Sequence, residues 1–199
     1  MKIAVTGASG RAGSRITSEL ARRGHAVTAI VRHPEKIAPG PNVTAKKGDL
    51  FDQVGLAALW AGPPRSAAVH FLDSDPAKLI GAAKASGVGR YLVVGGAGSL
   101  EVPPGVRLVT TSGFPAAYKA EAEKGAEFLD LLRREKELNW TLLSPSALFT
   151  AGERTGKFRL GTDQLLAAAD GKSWISFEDF AADEIERPGH IRRRFTVGH

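Results

Sequence analysis

The 199-residue chain has no cysteine at all. Disulfides and cysteine–zinc sites are therefore excluded, and a reducing compartment suits the composition. No apolar run approaches the roughly 20 residues needed to cross a bilayer. The first apolar strand also lies at the extreme N-terminus, with no room for a signal peptide ahead of it. The expectation from these absences is a soluble, cytoplasmic protein that does not engage a membrane. Metal-ligand spacing is missing too: His25, His33, His70, His190 and His199 are scattered, so no zinc or iron site is expected. The net charge of +6 raises the question of nucleic acid, because clustered cations exploit phosphate charge. Here Arg22-Arg23, Lys46-Lys47, Arg133-Arg134 and Arg192-Arg193-Arg194 are short groups without interleaved aromatics or a recognition helix. Solvated faces and attraction of an anionic small molecule explain them better.

What the chain does contain is a hydrophobic fraction of 43%, sufficient for one α/β domain with a substantial core and no staple. It opens on Lys2-Ile3-Ala4-Val5, followed by Thr6-Gly7-Ala8-Ser9-Gly10-Arg11-Ala12-Gly13. A buried-strand pattern thus runs into glycines spaced three apart and then into a helical stretch. That order is the start of a dinucleotide-binding βαβ unit. Gly7 permits the turn at the strand end, Gly10 lets the backbone approach a pyrophosphate, and Gly13 lets the helix pack close to the sheet. The amides around Ser9, Arg11 and Ala12 at the helix start then face the phosphates.

Alternation continues along the chain. The pattern predicts a helix over 12–23 ending at Gly24, a buried strand over 26–31, a weak strand over 43–47, a helix over 53–60 and a strand over 67–71. Further on it predicts a helix over 76–86 stopped by Gly87, a strand over 90–94, a Gly/Pro-rich loop over 95–115, a long helix over 117–137 and a strand over 140–143. Such alternation implies an α/β, Rossmann-like, doubly wound parallel sheet in a single domain spanning 1–199. The loops after Thr6, Val31, Phe71, Val94 and Leu143 then converge on one crevice at the carboxyl ends of the strands. Beyond it, 152–166 suggests a loop and small β excursion over the crevice, a small substrate-side extension in which Arg154 and Lys157 could meet an anionic group or simply form an exposed basic turn. The segments 174–176, 177–185 and 194–197 read as strand, helix and strand of scaffold.

The exit of the second strand bears on the cofactor. An acidic residue there would bind a ribose 2′-hydroxyl, whereas a cation accommodates a 2′-phosphate. The sequence supplies Arg32-His33, and the arginine fork suits phosphate. A surface arginine serving solubility is the alternative. Asp49-Leu50, after the third strand, lies where such folds edge the adenine, although Asp49 could equally cap the next helix. NADP(H) is the expected cofactor.

Taken together, Thr6 to Gly13, Val31-Arg32, Gly48-Asp49-Leu50, Val93-Val94-Gly95-Gly96-Ala97-Gly98-Ser99-Leu100, Leu143-Ser144-Pro145 and Gly152 to Lys157 resemble the atypical short-chain dehydrogenase/reductases, and within them the NmrA-like, NAD(P)H-binding branch. The resemblance covers nearly the whole chain. It implies a Rossmann-type fold with bound NADP(H), in which Gly95, Gly96, Ser144 and Pro145 also border the cofactor. It also implies a role as reductase, epimerase relative or non-catalytic redox sensor.

The chain departs from that pattern where acid catalysis would sit. Active relatives pair a tyrosine with a lysine four positions on. Here Tyr118 is followed at that spacing by Ala122, and the neighbouring Lys119 does not share its helix face. Ser99 could hydrogen-bond a substrate carbonyl, or serve plain turn chemistry. The links from Phe71 to Pro76 and from Phe177 into Ala182–Glu186 are short for the family. The expectation is an NADP(H)-dependent reductase passing hydride to a small carbonyl, quinone or flavin, with Ser99 and Tyr118 as candidate catalytic residues. The alternatives are a sensor whose partner is another protein, and an epimerase or dehydratase relative for which no acid/base pair is evident.

Overall fold

The computed structural model describes residues 1–61, 65–70, 75–150, 152, 155–176 and 182–199. The first unit forms as its sequence dictates. Strand β1 (Lys2–Thr6) is followed by helix α1 (Arg11–Arg22) and strand β2 (Ala26–Val31). Within α1 the apolar positions recur at helical spacing, burying Ile16 and Leu20 against the sheet, each worth about 1.5–3 kcal/mol. Gly24 takes φ +82 and reverses the chain into β2. Next come β3 (Val43–Lys47), α2 (Gln53–Trp60), β4 (Arg65–His70), α3 (Pro76–Ser86) and β5 (Arg90–Val94). Asp52 caps α2 through Gly55 N–H, and Asp75 caps α3 through the amides of Ala77 and Lys78. Gly87 closes α3 in the left-handed conformation, φ +65.

The stretch 95–115 is more ordered than a plain loop. It holds a 3-10 turn at Ala97–Ser99, a hairpin of β6 (Glu101–Val102) and β7 (Val106–Arg107), and a second 3-10 turn at Leu108–Thr110. Helix α4 (Ala116–Arg134) ends three residues before the expected boundary. The cause is local: Glu135 is extended, and its carboxylate accepts the N–H groups of Glu137 (2.6 Å) and Leu138 (3.3 Å), an alternative to continuing the helix.

Strands β8 (Trp140–Pro145), β9 (Leu148–Thr150), β10 (Arg159–Gly161), β11 (Trp174–Ser176), helix α5 (Ala182–Glu186) and strand β12 (Arg193–Gly198) complete the chain. The main sheet runs β10-β12-β8-β5-β4-β1-β2-β3. Every neighbouring pair is parallel except β10 with β12. This is the expected Rossmann-like, doubly wound sheet, with its switch point between β1 and β4.

Alternate residues of the strands feed two apolar layers. Ile3, Val5, Ala29, Val31, Leu92 and Val94 face α1, while Ala4, Ile30, Tyr91 and Val93 pack with Trp60, Leu79, Phe128 and Leu132 of the opposite helices. The extension differs from the expected excursion. Residues 159–161 join the edge of the main sheet, and β11 pairs with β9, a strand the periodicity does not announce. Arg154, the 71–74 part of the short link and the 177–181 part of the expected helix lie outside the described residues.

Candidate functional site

At the end of β1 the chain turns through Gly7, φ +74, whose N–H donates to the Ile30 carbonyl at 3.0 Å. Gly10 N–H then donates back to Gly7 O at 2.9 Å. Gly10 is the N-cap of α1, and no side chain caps the helix. The first amides of a helix have no acceptor within it; here Ser14 N–H to Gly10 O, 2.9 Å, begins the ladder. Arg11, Ala12 and Gly13 thus present N–H groups at the positive end of the helix, with no acidic residue in the first turn to compete for them.

Two glycines keep this turn tight for different reasons. A Cβ on Gly13 would lie 2.1 Å from Gly7 O, so only glycine lets α1 start this close to the strand exit. A Cβ on Gly10 would lie 3.2 Å from the same oxygen, a tight but much milder contact. Ser9 and Gly10 are exposed beside the helix start, and Arg11 is exposed with them. The chemistry suits a bound diphosphate: convergent amides, a helix dipole and no carboxylate.

Around this cradle the structure gathers the other strand exits. Arg32 follows β2 directly, is exposed, and makes no ion pair or hydrogen bond among the described residues; His33 beside it contacts Glu35 Oε1 through Nδ1 at 3.1 Å. Gly48 N–H donates to Val31 O at 3.0 Å, bringing the β3 exit against the β2 exit. A Cβ on Gly48 would meet side-chain methyl groups of Ile30 and Leu59 at 2.6 and 2.7 Å, so any other residue there would have to displace them. Asp49 does not cap α2. Its carboxylate accepts Phe51 N–H at 3.1 Å and shapes the preceding turn, while Asp52 is the cap. Leu50 packs on the α2 side of the core.

Gly95 continues β5 and donates to Leu143 O at 2.8 Å; Gly96 after it is exposed. Ser144 and Pro145 are buried at the end of β8. Ser99 is 5% exposed, whereas Tyr118 is 63% exposed. Position 122, where a partner lysine would stand, is packed against the β5 turn: a Cβ on Gly98 would lie 2.6 Å from Ala122 Cβ.

The terminal strand is more than scaffold. Arg194 of β12 is buried and pairs with Asp163, and its Nη1 reaches Ser99 Oγ and Ser144 Oγ, each at 3.5 Å. Asp163 also accepts from Arg133 at 2.7 Å. Burial alone would raise the Asp163 carboxyl, but the hydrogen bonds and charge of Arg194 and Arg133 hold it below the ordinary carboxylate range. Burial in turn pulls the Arg194 guanidinium below its ordinary value against the attraction of Asp163. Sequence reasoning misses this pair because 31 residues separate the partners. Among the described residues no cluster of three or more His, Cys, Asp or Glu could hold a metal ion, and no helix is long and apolar enough to cross a membrane.

A family model described as NAD(P)H-binding matches residues 7–185. The chain belongs to the NAD(P)H-binding family. Solved structures of the same fold place it more closely, each aligned over 100% of this chain. A Burkholderia pseudomallei protein with a provisional exported-protein name is 44% identical, with 100% of its own chain aligned and a TM-score of 0.88. A Bacteroides thetaiotaomicron protein with a provisional epimerase name is 39% identical, with 96% aligned and a TM-score of 0.94. A Streptococcus pneumoniae protein with a provisional NADH-flavin reductase name is 35% identical, with 99% aligned and a TM-score of 0.80. The family membership supports a nicotinamide cofactor. Its similar structures include reductases.

Proposed function

We propose that the protein is an NADP(H)-dependent reductase that passes hydride to a planar acceptor, a flavin or a quinone, with small carbonyls as a further class. The observation that carries the cofactor half is the capless α1 N-terminus behind Gly7 and Gly10, with the exposed cation Arg32, unpaired among the described residues, at the β2 exit. In this reading the amides of Arg11, Ala12 and Gly13 hold the pyrophosphate and Arg32 the 2′-phosphate. Asp49 and Leu50 edge the adenine, and Gly95, Gly96, Ser144 and Pro145 border the nicotinamide end.

The acceptor half rests on Ala122. Its packing on Gly98 fills the position one turn after Tyr118 with an alanine instead of a lysine, and the Tyr118 ring stands mostly in solvent. A reaction that needs a buried proton donor is poorly served by this arrangement. Reduction of a flavin or quinone is served well, because the cofactor supplies the hydride and the protein has chiefly to align the rings and exclude water. The similarity to the Streptococcus protein with the flavin reductase name supports the same choice.

The absence of a lysine at position 122 also favours a second reading, a sensor that binds NADP(H) without turnover and acts through a protein partner. The epimerase name of the Bacteroides protein points to a third, for which no positioned acid/base pair is found among the described residues. We place the protein in the cytoplasm as a compartment that holds NADPH; the exported name of the Burkholderia protein is the observation against that. Steady-state oxidation of NADPH with flavin, quinone and aldehyde acceptors separates the readings. Turnover with flavin or quinone supports the reductase, and tight NADPH binding without turnover supports the sensor.

A further inference from the structure

Arg194 sits inside the terminal strand with its side chain 2% exposed. A guanidinium carries five N–H donors, and here all five are engaged. Nε donates to Asp163 Oδ1 at 2.9 Å, Nη2 donates to the same oxygen and to the Asp163 carbonyl at 3.5 Å, and Nη1 donates to Ser99 Oγ and Ser144 Oγ. Asp163 is itself held from outside by Arg133 and, through its carbonyl, by Glu101 N–H at 2.8 Å. The guanidinium plane is therefore fixed on one edge, and it offers the other to the two hydroxyls.

Those hydroxyls receive without giving. Among the described residues neither Ser99 nor Ser144 donates its O–H, although Ser99 is 5% exposed and Ser144 is fully buried. Buried donors are seldom left unspent. Both stand where the strands end: Ser144 is the penultimate residue of β8, and Ser99 lies in the 3-10 turn that follows β5. The family's nucleotide crevice opens at that edge of the sheet.

We infer that Arg194 is a positioning residue for the reduction: by occupying the acceptor side of both hydroxyls it turns the Ser99 O–H outward, to donate to the carbonyl oxygen of a quinone or flavin. This rests on the reductase reading above. As hydride leaves NADPH, which becomes NADP⁺, it bonds to the acceptor ring, and the electron pair displaced from the ring accumulates on that oxygen. The Ser99 hydrogen bond strengthens in step with this charge, and the buried cation behind it reinforces the effect. Ser99 keeps its proton, and solvent supplies the one that completes the reduced acceptor.

The test compares wild type with Ser99→Ala, Arg194→Met and the double variant, using NADPH with a naphthoquinone and with flavin mononucleotide. Each single variant is expected to lose about 10- to 100-fold in kcat, the size of one hydrogen bond to a charged group, with KM for NADPH changed by no more than about twofold. Because Arg194 acts through Ser99, the double variant loses no more than the worse single one, which is the signature of a shared step. A packing defect would instead give multiplying losses and a lower melting temperature in the double variant, and that overturns the inference. So does a Ser99→Ala enzyme with wild-type kcat. Should Arg194→Met fail to fold, Arg194→Lys is read in the same cycle with Ser99→Ala. A wild type that oxidises NADPH with neither acceptor overturns the reductase reading and this inference together, whereas an active wild type with unaffected variants overturns the inference alone.

Discussion

Ala122 of α4 packs directly against Gly98 of the turn after β5, so closely that a Cβ on the glycine would lie 2.6 Å from that of the alanine. The contact joins the longest helix to the crevice, and it occupies the place from which a lysine would reach a tyrosine one helical turn earlier. Tyr118→Phe keeps the ring and removes only the exposed hydroxyl. Its kcat is expected to stay within about threefold of wild type, where loss of a general acid costs about 10²–10⁴-fold. Steady-state rates with quinone and aldehyde acceptors measure this, and a drop of several hundredfold would return Tyr118 to the chemistry.

Gly13 and Gly10 separate folding from binding. A methyl group at position 13 would collide with Gly7 O at 2.1 Å and Gly7 C at 2.8 Å, and neither is the end of a flexible side chain. Gly13→Ala is expected to cost about 1–3 kcal/mol, seen as a melting temperature lower by several degrees. Gly10 has φ −75, a conformation open to any residue. Gly10→Val therefore remains folded by circular dichroism while NADPH titration shows no binding. Retained affinity would put the pyrophosphate elsewhere.

How far the sequence alone reaches is visible in these same residues. The first βαβ unit is legible because every requirement is local: a short strand with the apolar centre Ile3-Ala4-Val5, glycines three apart, and a helix whose apolar face recurs each turn. Gly87 announces the end of α3 for the same reason. By contrast, Glu135 ends α4 through a side-chain contact that propensity does not register, and Asp49 shapes a turn while Asp52 three residues later is the cap. Arg194 and Asp163 are invisible from the sequence, since their pairing exists only after β12 has entered the sheet between β8 and β10.

Cofactor choice rests on Arg32. With no acidic residue at the β2 exit and no partner for the guanidinium among the described residues, NADPH is expected to bind more tightly than NADH. A charged hydrogen bond of about 1.5–3 kcal/mol gives a preference on the order of tenfold or more. Fluorescence titration of both nucleotides checks this, and Arg32→Ala brings the two affinities together. Equal affinities in the wild type would remove the assignment.

Asp163 makes acid the weak side of the Arg194 pair. Its folded pKa lies below its ordinary 3.8, so between the two values the unfolded chain binds the proton and stability falls as the pH is lowered. The contribution is fully present above about pH 5 and is lost as the pH falls through the folded pKa. Urea titrations of wild type and Asp163→Asn should therefore show a constant stability gap from neutral pH to about pH 5, narrowing below about pH 4. A gap that widens on acidification would contradict the account.

The most direct test is a single-turnover measurement: protein loaded with stoichiometric NADPH is mixed anaerobically with a flavin or naphthoquinone, and the NADPH absorbance is followed. Loss of that absorbance in step with reduction of the acceptor, far faster than without protein and abolished in Gly10→Val, is the result expected of a reductase built on the α1 cradle. Tight NADPH binding with acceptor reduction no faster than in buffer would contradict it and leave a nucleotide sensor.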